Sequence, residues 1–314
     1  MTELSRRSKI LGGLWGAIIG DALGVPVEFT SRAARKEDLV IGMQEYGTHN
    51  QPKGTWSDDS SLLLCTVESL LNGFDLNNMG RQFVRWYTKG YWTPWGTIFD
   101  IGGATRHAIH RLAKGTDPEE AGDNDEGSNG NGSLMRILPV GLFFVDLPDD
   151  ELLDYAHRVS SLTHRHPRSQ MACGFYCLMP ARLLKRLTIE DSYRQAIASS
   201  SQHYRALFFS QEIPHFKRLF SGTIGNLPED EIASDGYVIH TLEASIWCLF
   251  NSNSFQDAVL KAVNLGGDTD TTGCVTGGLA GVYYGFEAIP KDWLGAIVRE
   301  KDIGNLLSQF TGKI

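Results

Sequence analysis

The chain has 314 residues, 42% hydrophobic and 21% charged, the profile of an ordinary globular protein. Its 37 acidic against 29 basic residues leave a formal net charge of −8, which argues against broad binding to nucleic acid or an anionic membrane. An anionic ligand would therefore need local holders: backbone amides, a few cations or a metal ion.

The N-terminal residues MTELSRRSKILGG lack the long apolar core and small-residue cleavage site of a signal peptide. Residues 10–24, ILGGLWGAIIGDALG, set Leu11, Leu14 and Ile18 at helical spacing, with Gly12, Gly13, Gly16 and Gly20 permitting a close neighbour. Gly24 and Pro26 break the helix, and Glu28 follows in a short irregular segment, where a solvated loop carboxylate is the simplest role. Residues 61–73 predict a helix ending at Gly73, preceded by GTWSDDSS with Asp58 and Asp59 side by side. A further helix is expected to begin near Gly102, and Asp100 is placed to cap it. Residues 115–133 are too rich in Gly, Asn and Asp for a helix and predict a long surface loop. Helical patterns resume over 155–164, 170–187, 237–251 and 254–267, whereas 200–236 mixes aromatics, proline and charge and reads as an irregular outer wrap. Residues 271–289 are the most membrane-like, but their glycines, threonines and Glu287 favour a packed helix.

Strand patterns are few and short and no repeat is visible, so the expected class is all-α. Tyr237 and Trp247 are expected in the core, His166 and Arg168 on the surface. The cysteines (Cys65, Cys173, Cys177, Cys248, Cys274) are odd in number and sit in apolar contexts, as buried thiols do. With no export signal, they imply a cytoplasmic location.

A second acidic cluster lies in NLGGDTDTTGCVTGG, residues 264–278, where Asp268 and Asp270 alternate with Thr269 and Thr271. A single Asp, Ser or Thr suffices to cap a helix, which is the plain reading of either cluster alone. Each cluster offers more than a cap uses. Crowded carboxylates repel, and take up protons unless a cation neutralises them. Four carboxylates with Ser and Thr oxygens, and no Cys or His in the motifs, form a hard-oxygen set that selects Mg²⁺, Mn²⁺ or Ca²⁺ over zinc or copper. If the clusters converge, the ligand count fits two ions about 3.5–4 Å apart. Such convergence would also close most of the chain into one domain, expected to span residues 1–314 with its core at about 10–286.

In order along the chain, GAIIGDALGVPVEF, GTWSDDSSL, NGNGSLMRILPVG, LTHRHPRS, GYVIHTLEASIWCL and GGDTDTTGCVTGGLAGVYYG resemble the landmarks of the ADP-ribosylglycohydrolases, relatives of dinitrogenase reductase-activating glycohydrolase. The paired SDDS and GGDTDT motifs, with a Glu ahead of them, are the specific part. The resemblance implies a compact all-α fold with a binuclear Mg²⁺ or Mn²⁺ centre. Ser57, Asp58 and Asp59 would be ligands from one side, and Asp268, Asp270 and Thr271 from the other. Ser57 stands where the family most often has Thr, which keeps the hydroxyl oxygen. Glu28 matches a Glu that lies beside the metals and the scissile bond. Asp100 matches an acidic residue that arginine-specific bacterial members place in the active site, and either carboxylate would shuttle the proton.

The loop SNGNGSLMR would cradle a diphosphate. Gly130 and Gly132 let backbone N–H groups approach the anion, and Asn129, Asn131 and Ser133 add neutral donors. With Met135 and His164, the loop would contact ADP-ribose, although His164 equally suits packing between helices. The implied activity is hydrolysis of the glycosidic bond joining ADP-ribose to a modified protein side chain, arginine first. The implied partners are that modified protein and ADP-ribose. A non-catalytic, ADP-ribose-binding relative would have eroded the ligands that this chain keeps. A two-metal phosphoesterase would commonly recruit His as well.

Overall fold

Polar side chains at helix starts set many of the element ends in the computed structural model, which describes residues 4–205 and 207–314. Helix α1 (Arg6–Gly24) starts on Ser5, α2 (Arg32–Glu37) on Ser31 and α3 (Asp58–Leu70) on Ser57. Helix α4 (Leu76–Lys89) starts on Asp75, and α5 (Gly103–Ala113) follows Gly102. Then come α6 (Leu138–Phe143), α7 (Asp149–Ser161), α8 (Pro167–Leu184) and α9 (Ile189–His203). The short α10 (Leu207–Ser210) and α11 (Lys217–Phe220), with intervening tight turns, fill the irregular stretch. The chain ends with α12 (Val238–Phe250), α13 (Phe255–Asn264), α14 (Thr269–Tyr284), α15 (Lys291–Ala296) and α16 (Glu300–Thr311). Extended pairing among the described residues is confined to isolated bridges, such as Gly130 with Tyr237. The fold is predominantly helical, as expected.

What positions the rest is the pairing of α1 with α14. Their glycines face each other in antiparallel order: a Cβ on Gly16 would lie 2.2 Å from the Gly277 carbonyl oxygen, and one on Gly20 2.0 Å from that of Gly273. Any side chain there would push the backbones apart. The register brings the start of α14 against the end of α1, where a Cβ on Gly24 would fall 2.3 Å from the Asp270 nitrogen. Thr269 Oγ1 also donates to the Gly24 carbonyl at 2.8 Å. In this way GGDTD and GDALGVPVE, far apart in sequence, become neighbours. With the turn that follows it, α1 spans Arg6–Val27 and is the stretch with membrane-like length and hydropathy, rather than 271–289. It is a core helix, buried inside the fold from Ser8 onward but for the partly exposed Leu11.

Three expectations need correction. The 115–133 stretch is irregular and exposed over 124–127, but Ala121–Gly122 and the end of the stretch from Asn129 are not surface loop. Gly122 N donates to Ser161 O at 2.9 Å and Arg111 Nε to Ala121 O at 2.6 Å, while Val238 N donates to Asn129 O at 3.0 Å and Asn131 N to Gly236 O at 3.1 Å, so Ala121, Asn129 and Asn131 lie in the interior. His166 and Arg168 are buried, not surface groups. Arg168 is held by 2.8 Å ion pairs to Glu126 and Glu212, and the His166 Nδ1 accepts from Arg168 N at the start of α8. Tyr237 is only half-buried, whereas Trp247 is in the core and donates to Leu227 O at 2.8 Å. All the cysteines are free and buried, in keeping with their apolar contexts.

Candidate active site

The SDDSS motif is a helix cap whose acidic groups remain free of the capping. Ser57 Oγ accepts from Asp59 N at 3.2 Å and does the capping. Asp21, fully buried on α1, clamps the same turn from outside. Its carboxylate accepts the backbone N–H of Ser57 at 3.0 Å, that of Ser60 at 3.0 Å, and the Ser60 hydroxyl. Burial pushes the Asp21 carboxyl up to about 6, against the opposing pull of these donors. With the turn satisfied this way, Asp58 and Asp59 project their carboxylates elsewhere.

Those carboxylates meet the second motif. Thr271 Oγ1 donates to Asp59 Oδ1 at 3.4 Å, and Thr271 N donates to Asp270 Oδ1 at 2.8 Å. Burial, and then neighbouring carboxylates, push the carboxyls of Asp58, Asp59 and Asp270 well above their ordinary range. Oxygens of Glu28, Asp268 and Asp270 all lie within 4.8 Å of one another. Among the described residues, Asp59 Oδ2 and Asp268 Oδ1 are buried with no hydrogen-bond partner. Buried carboxylate oxygens without donors are costly unless a cation meets them. An all-oxygen set with such orphaned atoms fits a hard divalent cation.

Glu28 is 4% exposed, so it is not a solvated loop carboxylate. His49 Nε2 meets its Oε2, and Thr48 Oγ1 donates to its backbone carbonyl at 2.7 Å. Burial pushes the Glu28 carboxyl up to about 7, with Asp100 and Asp268 adding to the rise and His49 opposing it. The His49 imidazole is pushed up in turn, chiefly by its bond to Glu28. Asp100 caps nothing: α5 starts on Gly102 without a side-chain cap. The Asp100 carboxyl is raised by burial, with His49 opposing.

A cavity of about 540 Å³ joins these groups to the glycine loop. One wall carries Glu28, Phe29, Asp58, Asp59, Asp100, Asp268 and Thr271; the other carries Gly130, Asn131, Gly132, Met135 and His164. Asn131 Nδ2 links the two walls, donating to Asp268 Oδ2 at 2.8 Å and to Thr241 Oγ1 at 2.9 Å. Gly132 must lack a side chain, because a Cβ would lie 2.9 Å from both His164 Cε1 and Thr105 Oγ1. The His164 Nδ1 lies 2.9 Å from Thr163 Oγ1, and burial, then Arg136, pushes the ring down to about 3. His164 thus packs and lines the cavity at once, as a neutral ring.

Four candidates lie off the cavity wall, among them Asn129, whose Nδ2 donates to Glu126 O at 3.1 Å and whose Oδ1 accepts from Ser169 Oγ at 3.1 Å. Ser133 Oγ faces Ser160 and Cys173 at 2.9 and 3.3 Å, so only its backbone is available to the loop. Ser57 opens onto a small adjoining space with Asp58 and Asp100, and Asp270 sits behind Asp268 and Thr271. Sequence reasoning missed Asp21, His49, Phe29 and Thr105. Asp21 carried one signal, as the lone charged residue of the apolar stretch 10–24. His49 carried none.

Fold and site together define a helical protein with a buried, cation-ready carboxylate cluster beneath an anion-compatible glycine loop. The ADP-ribosylglycohydrolase family model matches residues 2–314, and the chain belongs to that family. It is 33% identical to the ADP-ribosylarginine hydrolase Tri1 of Serratia proteamaculans (strain 568), over 98% of this chain and 80% of that protein. It is 28% identical to the ADP-ribosyl-dinitrogen-reductase glycohydrolase of Rhodospirillum rubrum, over 95% and 92% of the two chains. A solved structure described as an ADP-ribosylglycohydrolase-related protein complex superposes with a TM-score of 0.81 at 33% identity, covering 98% of each chain.

Proposed function

We propose that this protein is a metal-dependent ADP-ribosylhydrolase that cleaves the glycosidic bond between ADP-ribose and an arginine side chain of a modified protein. The observation that carries the reading is the meeting of SDDS and GGDTDT on one cavity wall, opposite the Gly130–Gly132 loop. The Serratia relative and a second ADP-ribosylarginine hydrolase, that of Pseudomonas putida (strain GB-1), support the choice of arginine at 33% and 31% identity.

Ser57, Asp58, Asp59, Asp268, Asp270 and Thr271 would hold two Mg²⁺ or Mn²⁺ ions. When bound, such a pair supplies Lewis-acid orientation of the ribose hydroxyls and a more acidic water. Backbone amides of the glycine loop bind the diphosphate without a cationic side chain, in keeping with a neutral His164. Asn131 fixes the loop to Asp268 and so sets the distance between diphosphate and acidic wall. Cleavage builds positive charge on the sugar, which the neighbouring carboxylates stabilise. Glu28 moves the proton: it is buried beside the acidic motifs and aimed by His49. Asp100 receives the leaving guanidinium. A cytoplasmic location, where buried thiols stay reduced, completes the reading.

The test is incubation with arginine-, serine- and DNA-linked ADP-ribose conjugates, with and without Mg²⁺ or Mn²⁺. Metal-dependent release of ADP-ribose from the arginine conjugate supports the reading. Binding of free ADP-ribose without release from any conjugate refutes it in favour of a non-catalytic relative.

A further inference from the structure

Phe29 stands where a turn calls for glycine. Thr30 N donates to Val27 O at 3.1 Å, closing a four-residue turn with Glu28 at φ −53° and ψ 145° and Phe29 at φ +63°. This is the backbone pattern of a type II turn, whose third position needs positive φ and is usually Gly or Asn. Phe29 takes the strain and leaves its ring 69% exposed. The position is over-determined by its neighbours. Phe29 N donates to Gly267 O at 2.7 Å, and Gly267 N to Thr30 O at 2.8 Å, so the turn is bonded directly to the GGDTD motif. A strained, exposed aromatic residue held this firmly beside a reactive centre has a use beyond packing.

Its surroundings say which chemistry. Phe29 lines the cavity together with Glu28, Asp58, Asp59, Asp100 and Asp268, a lining far richer in carboxylate than in cation. The His49 ring lies 6.1 Å from it and separates it from Phe99, 5.3 Å further on, which directly precedes Asp100. Each of the two carboxylates assigned to the chemistry therefore has a phenyl ring next to it in the chain. A planar cation with in-plane N–H donors suits such a site: the carboxylates accept its hydrogen bonds while an aromatic face covers its plane.

We infer that Phe29 is the residue that selects arginine as leaving group, its ring stacking on the guanidinium while Glu28 and Asp100 accept the N–H bonds. This rests on the arginine-linked reading above. The competing occupant of an exposed ring is the adenine of ADP-ribose, and the two are separable by experiment.

Steady-state hydrolysis of ADP-ribosylarginine is compared for wild type, Phe29→Ala, Phe29→Leu, Phe29→Tyr and Phe29→Gly, with calorimetric affinity for free ADP-ribose measured alongside. Phe29→Ala and Phe29→Leu are expected to raise KM by roughly 5- to 30-fold, whereas Phe29→Tyr stays within about twofold of wild type. Phe29→Gly is expected to raise KM equally yet melt no lower than wild type, because it relieves the positive-φ strain; a merely structural residue would lower the melting temperature. Unchanged KM in Phe29→Ala and Phe29→Leu overturns the inference, as does an equal loss of affinity for free ADP-ribose. A wild-type enzyme that leaves the arginine conjugate intact refutes the functional reading itself. Cleavage by wild type with an unaltered Phe29→Ala refutes this inference alone.

Discussion

The two walls of the cavity solve opposite problems. On the glycine-loop wall the polar side chains are neutral and engaged: Asn131 donates to Thr241 and Asp268, Ser133 meets Ser160, and His164 meets Thr163. The acidic wall is crowded with like charge and leaves Asp59 Oδ2 and Asp268 Oδ1 without donors. A satisfied wall is a rigid mould for a ligand, and an unsatisfied one needs a cation to be stable while ionised. Substitutions on the two walls should therefore fail differently.

The largest effects belong on the acidic wall. Asp59→Asn and Asp270→Asn are each expected to abolish turnover in the conjugate assay while free ADP-ribose still binds through the loop. Next comes Asp21→Asn, which sets an amide against the backbone N–H groups of Ser57 and Ser60. Loss of a residue that orients ligands costs about 10–100-fold in metal affinity, which a Mn²⁺ titration with activity as readout will show.

The third effect is a pH dependence. The folded protein raises the carboxyl of Asp21 from 3.8 to about 6 and that of Glu28 from 4.5 to about 7. A raised carboxyl binds its proton more tightly in the fold than in the unfolded chain. Its stabilisation is present below the unfolded value and is lost as pH rises through the folded one. The chelated protein is thus expected to melt progressively lower from about pH 4 to about pH 7, with added Mg²⁺ reversing the loss. A melting temperature that is flat with pH and indifferent to chelation would break the contrast between the walls. The smallest effect is Asn131→Ala, on the neutral wall. It removes the hydrogen bonds to Thr241 and to the Asp268 carboxylate; a loss of about 1–2 kcal/mol is roughly a 5- to 30-fold weaker ADP-ribose affinity by calorimetry, with metal affinity less affected.

The difference between the walls also explains what the sequence made legible. Acidic pairs are visible in a linear chain because a cap needs one carboxylate and SDDS and GGDTDT each supply two. The small-residue spacing of Gly12, Gly16 and Gly20 likewise announced a close neighbour for α1, though not that Gly273, Gly277 and Gly281 of α14 would be that neighbour. Asp100 looked like a cap because Gly102 opens a helix, but α5 starts without a side-chain cap and Asp100, two residues ahead of Gly102, lines the cavity instead. Arg168 looked superficial because arginine usually is, and only tertiary structure reveals that Glu126 and Glu212 converge on it. His49 and Phe29 were illegible for the same reason. Their roles come from a turn and a loop brought together by Gly267 and Glu28, not from a local pattern.

The central claim is that one motif from each end of the chain is required to hold the metal. Its most direct test is calorimetric titration of Mn²⁺ into the chelated wild type, Asp59→Asn and Asp270→Asn, with folding checked by circular dichroism. The expected result is saturable binding of two ions to wild type and loss of that binding in both variants, although the substituted residues lie 211 positions apart. Wild-type affinity and stoichiometry in either folded variant would contradict it.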